Sequence, residues 1–232
     1  MNRRMKIFST FALLIVSVFC FFFAHFNMEK ESDSTKTLQE KNIVVSLENP
    51  SFVSVEEMDN AATLIVSGRY TEYLGTYNVT RDESDPTKEN TDIYSEGRKY
   101  AFEVEEVLSG ALSENMIIIG KKVSDGVNLD DIDMQIPSAF FVEPVFNNTR
   151  VLFLNYDAAT GFYYSIGEPW EIAVANDGSL SRCLETPAST AIAEAETNES
   201  VYRLNVKFSG ISKTDDFISA LTYEQLKAQL EN

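Results

Sequence analysis

The sequence predicts a mainly β domain with short helices, carried behind an N-terminal membrane segment. Three observations predict this: one long apolar run after a basic start, a succession of short alternating stretches separated by turn residues, and helix signals confined to two brief places. Arg3, Arg4 and Lys6 precede a run from Ile7 to Phe26 whose only acidic or basic side chain is His25. Cationic residues before such a run hold its amino end in the cytoplasm, and Glu29, Glu31 and Asp33 after it agree with an N-in, C-out orientation. The domain is therefore expected outside the membrane.

A run of roughly 20 residues matches a bilayer-spanning helix better than the shorter core of a cleaved signal. Cleavage after Ala24 would place Phe22 where a small residue is wanted, and lipidation at Cys20 would follow Phe19 rather than a small residue. The segment 1–28 thus reads as a signal or anchor, with release as a secreted protein the alternative. Residues 29–41 are polar and charged and read as a tether, and 42–232 as one extracytoplasmic domain.

No acid falls in the first 28 residues, so the exported part holds all 36 Asp and Glu against 16 Lys and Arg, a net of about −20. Such a surface repels phosphate backbones and argues against nucleic-acid binding. The exported part keeps one cysteine, Cys183, and can form no internal disulfide. An exported chain without bridges fits a bacterial cell surface, and makes the sequons at Asn78, Asn147 and Asn198 accidental. Cys183 itself reads as a small buried hydrophobe.

Along the domain, Ser54 and Glu57 have capping-box spacing and predict a helix to about Ala62. A strand follows over Thr63 to Tyr73. The Asn-, Asp- and Thr-rich stretch Gly75 to Gly97 predicts a long exposed loop. Tyr100, Phe102 and Val104 alternate with Ala101, Glu103 and Glu105, the period of a half-buried strand over Lys99 to Leu108. Further strands are expected at Asn115–Lys121, Ala139–Val142, Arg150–Tyr156, Phe162–Ile166 and Trp170–Ala175. Asn176, Asp177 and Gly178 tolerate the positive φ angles of a tight turn and predict a hairpin there. A polar, alanine-rich stretch then separates it from an alternating edge strand, Val201 to Phe208. Thr222 and Gln225 form a second capping box before Leu226 and Leu230, which predicts a short C-terminal helix packed on the sheet.

The order "DNAATLIVSGRY", a polar loop, "KYAFEVEEVLSG", "NMIIIGKK", a further loop and "RVLFLNYD" resembles the OB-type barrel of the netrin and tissue-inhibitor-of-metalloproteinase superfamily, in particular its bridge-free bacterial members. The resemblance spans roughly residues 59 to 156 and implies a partly open barrel. It implies no activity, because the animal inhibitors use an amino-terminal cysteine to chelate a protease zinc and the exported chain begins with a cysteine-free tether.

The chemistry on offer is narrow. The only histidine, His25, lies in the apolar segment, which removes Ser-His-Asp and Cys-His mechanisms and histidine-bound zinc from the domain. No phosphate-cradling glycine motif occurs. Paired carboxylates remain possible, with Glu143 beside Phe141, Val142 and Pro144 the first suspect for hydrolysis of envelope glycans. Asp125, Asn128, Asp130, Asp131 and Asp133 offer hard oxygen ligands for calcium, although their spacing departs from the EF-hand loop and a solvated acidic loop is the simpler reading. Tyr156, Tyr163, Tyr164 and Trp170 crowd around one hairpin and form a candidate binding face for a protein or a cell-wall polymer. The expectation is a membrane-tethered binding or interaction module without a resident cofactor. A glycan hydrolase or a calcium-stabilised structural domain is the alternative.

Overall fold

The computed structural model describes residues 36–47, 51–210 and 216–231. The N-terminal apolar run lies outside the described residues, and among those described no helix is long and apolar enough to cross a membrane. The chain divides into two compact units. In the smaller, residues 197–201 form a turn in which the Thr197 N–H donates to the Ser200 carbonyl at 2.9 Å, and the Thr37 N–H donates to the Glu199 carbonyl at 3.1 Å. Apart from the first two residues of two strands, all that follows concerns the larger.

Five strands form its central ring. β2 (Leu64–Asn78) pairs antiparallel with β3 (Glu96–Ser109) on one side and with β7 (Thr149–Asp157) on the other. β3 pairs antiparallel with β4 (Met116–Lys122), which meets β8 (Phe162–Ser165) in parallel at Ile119 and Tyr163. β8 returns antiparallel to β7 over Leu154–Asp157, so the sheet closes on itself, with its narrowest pairing at β4–β8. The other half of β7, Arg150–Leu152, pairs with β9 (Glu171–Val174), which pairs in turn with β10 (Leu180–Arg182).

The bend needed for closure is built into β2. Its register with β3 slips at four places, and each slip adds local twist. At Gly68 a Cβ would stand 2.0 Å from the Glu103 carbonyl oxygen, so the strands can approach there only because the residue is glycine.

Helices α1 (Val55–Ala61) and α2 (Tyr223–Leu230) start where the capping residues place them. Ser54 Oγ accepts from the Glu57 N–H at 3.2 Å, and Thr222 and Gln225 exchange both bonds of a capping box. Val55, Met58 and Leu226 of these helices join one core with Leu64–Val66, Tyr70, Tyr100, Phe102 and Val151–Leu154. Consecutive burial along β2 and β7 follows, because both faces of these strands are covered.

A second hydrophobic cluster is built on a three-stranded sheet ordered β1 (Thr37–Ser46), β12 (Ser200–Ser209), β11 (Thr190–Glu196). Leu204, Val206 and Phe208 of β12 and Ala193 of β11 meet Met134 and Ile136 from the hairpin of β5 (Ser124–Leu129) and β6 (Ile132–Pro137).

Several expectations are corrected here. β1 begins at Thr37, inside the stretch read as tether, because β12 supplies pairing that its polar sequence does not advertise. β12 is the central strand of its sheet rather than an edge, since the alanine-rich stretch contains β11. The acidic loop before Pro137 is the β5–β6 hairpin, and Ala139–Val142 is not a strand. The loop after β2 is held by the buried Asn78, whose Nδ2 donates to the carbonyls of Asn90 and Ile93 at 2.8 Å each while its Oδ1 accepts from the Ser95 N–H.

Candidate binding site

The alternation of β4 sends Ile117, Ile119 and Lys121 to the same side, so Lys121 carries an ammonium into the core, where its side chain is 4% exposed. A lone charge there would be expensive. Glu171, at the start of β9 and 6% exposed, answers it: Lys121 Nζ donates to Glu171 Oε2 at 2.7 Å. Arg150 Nε approaches Glu171 Oε1 at 3.5 Å, and the Tyr70 hydroxyl donates to Oε2 at 3.4 Å. Burial, with Glu171 adding to it, holds the Tyr70 phenol well above its usual range.

Lys121 also sits among rings. Its Nζ lies 5.2 Å from the centroid of Trp170, 5.7 Å from Tyr70 and 6.0 Å from Phe141. The ammonium has three donors, and Glu171 takes one.

Beside this cluster opens a cavity of about 450 Å³. Lys121, Glu168, Trp170, Phe141, Tyr164 and Ser138 line one part of it, and Leu47 and Phe208 contribute apolar wall from β1's C-terminal flank and from β12. At its rim Lys122 pairs with Asp125 at 2.5 Å. Glu168 precedes a cis bond to Pro169. Burial pushes its carboxyl up to about 8; Lys121 pulls the other way and Glu171 adds to the rise. At neutral pH Glu168 therefore keeps its proton. Cys183 nearby is pushed up to about 12, chiefly by burial and then by Glu171.

Charge can be counted across the site. Lys122 cancels Asp125, Asp216 cancels Arg182 at 3.6 Å, Glu171 cancels one of Lys121 and Arg150, and a proton-bearing Glu168 adds nothing. One positive charge remains, within a chain whose formal net is −17.

The residues singled out by sequence scatter. Tyr156 is 53% exposed and its ring lies 5.1 Å from that of Tyr163, its cross-strand partner. Tyr164 faces the other way, into the cavity wall. Trp170 is 7% exposed and belongs to the core, so the four residues do not form one face. The successive side chains of β8 alternate sides, which is what divides Tyr163 from Tyr164.

The acidic hairpin is occupied with its own partners. Asp125 meets Lys122, Asn128 Nδ2 donates to Asp133 at 2.8 Å across the strands, and Asp130 reaches Lys41 at 3.4 Å. Asp130 and Asp131 form the turn with φ of 53° and 63°. Among the described residues no group of three or more His, Cys, Asp or Glu side chains is placed to hold a metal ion. Glu143 is exposed, not buried, and accepts from Arg98 Nη1 at 2.7 Å and from the Tyr100 hydroxyl at 2.8 Å.

Lys121, Glu168 and Glu171 were missed by sequence reasoning. The parity of Lys121 with Ile117 and Ile119 was the available signal, as was the pair of acids bracketing Pro169 and Trp170 in an apolar neighbourhood. No protein-family model matches the chain, and no curated protein sequence matches it.

Proposed function

We propose that this chain is a membrane-tethered, extracytoplasmic binding module whose barrel is of the OB type and whose ligand enters the cavity beside Lys121. The barrel assignment is supported by the five-strand ring with one parallel pairing, β4–β8, and by the sequence resemblance noted above. Tethering is supported by the basic start and the apolar run. The observation that carries the binding reading is the cavity itself. It has the size of small-ligand pockets, walls shared between apolar rings and polar groups, and one of those polar groups is a buried ammonium with donors to spare.

The ligand is free, or is the end of a cell-wall polymer or partner protein. Crosslinking in the native membrane, followed by affinity recovery and mass spectrometry, tests this with the full chain and a Ser138→Trp variant that fills the cavity. Capture of one species by the natural chain and its loss in the variant is expected. Equal capture by both removes the cavity from the function.

One observation favours hydrolysis as a second reading: Glu168 keeps its proton near neutral pH, as a general acid must, and Asp125 is a second carboxylate on the same cavity. Release of reducing ends from purified wall glycan, abolished by Glu168→Gln, would establish it. No release over a prolonged incubation would remove it.

A further inference from the structure

We infer that the cavity selects a small organic acid, a single carboxylate carried on an apolar or aryl group, with Lys121 as the counter-ion. This rests on the binding reading above and adds the class of ligand. The charge count is the first reason. The site retains one positive charge after its ion pairs cancel, shared by Lys121 and Arg150 across Glu171, and the remaining donors of Lys121 lie among the rings of Trp170, Tyr70 and Phe141 and the proton-bearing Glu168. A carboxylate oxygen satisfies an ammonium donor far better than a ring does.

The second reason is shape and lining. Phe141, Trp170, Leu47 and Phe208 leave apolar wall for a hydrocarbon or aryl body, and about 450 Å³ suits a molecule of one ring and a short chain. A cation fits badly, because Lys121 and Lys122 both line the space and Asp125 is already paired. A doubly charged phosphate exceeds the single charge available.

Glu168 makes the selection depend on pH. Its carboxyl lies on the cavity, facing Lys121 of β4, Glu171 of β9 and Arg182 of β10, with the Lys122–Asp125 pair at the rim. With its proton on, it donates to a bound carboxylate; with the proton gone, it repels one. Affinity is therefore greatest below the titration of Glu168 and falls above it.

The test uses the full-length chain in lipid nanodiscs, with empty nanodiscs as blank, and three probes of equal size: 3-phenylpropionate, its neutral amide and the corresponding amine. Binding is read by calorimetry and by emission of Trp170, the only tryptophan. The acid is expected to bind at least about tenfold tighter than the amide and the amine. Between pH 6.5 and 9.5 its Kd should rise by about thirtyfold, the change in the proton-bearing fraction of a group titrating near 8. In Glu168→Gln that rise should be absent. Amide or amine binding as tight as the acid, or an alkaline fall that persists in Glu168→Gln, overturns the choice of ligand and leaves the cavity a binding site. Failure of all three probes to bind at millimolar concentration overturns the ligand class and the cavity reading together.

Discussion

Replacing either partner of the buried pair should unfold this protein in a set order of severity. Lys121→Met removes the ammonium 2.7 Å from Glu171 and leaves the carboxylate with Arg150 at 3.5 Å and the Tyr70 hydroxyl at 3.4 Å. Glu171→Gln removes the only carboxylate bonded to Lys121 among the described residues and leaves two cations, Lys121 and Arg150, facing a neutral amide. Breaking a buried pair costs about 3–5 kcal/mol because it strands the surviving charge. Lys121→Met should fall at the lower end, about 3 kcal/mol, since Arg150 still compensates Glu171. Glu171→Gln should reach the upper end, about 5 kcal/mol, since two cations lose their shared ionised partner and only the proton-bearing Glu168 stands nearby. Urea unfolding followed by Trp170 emission reports on the site directly, because that ring lies 5.2 Å from Lys121 Nζ. The double variant, Lys121→Met with Glu171→Gln, should lose less than the two single losses added, which is the signature of coupling. If Glu171→Gln costs no more than Lys121→Met, or if the losses simply add, the charge accounting is wrong.

Other expectations follow from the same neighbourhood. The folded-state titration of Glu168 lies above its unfolded value, so its contribution to stability is fully present below the ordinary carboxylate range and is lost as pH rises towards 8; melting temperature should fall across that window in the natural chain and less in Glu168→Gln. Cys183, half-buried and pushed up to about 12 chiefly by burial, should react with a thiol-specific disulfide reagent at pH 8 far more slowly than in urea. Asp125, Asp130 and Asp133 of the β5–β6 hairpin already have partners, so millimolar calcium should move the melting temperature by no more than about 1 °C relative to chelator; a rise of several degrees would reinstate the hairpin as a calcium site.

Much of the architecture was legible because its signals are local. The Asn-Asp-Gly turn appears with the Gly178 N–H donating to the Ala175 carbonyl at 2.9 Å and Gly178 at a φ of 80°. Both capping sequences start helices, and Leu226, Leu221 and Leu230 pack on the core as their spacing implies. The alternation of Tyr100 and Phe102 with Ala101 and Glu103 marks β3 correctly as a strand. It understates burial at Ala101, which is also covered.

The elements that escaped notice are those whose stability comes from a distant partner. β1 is largely polar and β11 mostly alanine and glutamate, both gain their pairing from β12, and the β5–β6 hairpin gains its cover from the same sheet. The site escaped for a similar reason. Lys121 and Glu171 lie 50 residues apart in sequence and meet only because β4 and β9 are both arranged around β7 and β8. By itself, the sequence determined the β-rich class, the turns, the caps and the inward parity of Lys121, because each depends on neighbouring residues and the period of the chain. Only the tertiary structure decided which carboxylate answers that ammonium, that Glu168 keeps its proton and that Trp170 lies in a core instead of on a face, because burial and charge pairing are set by what the rest of the chain brings alongside.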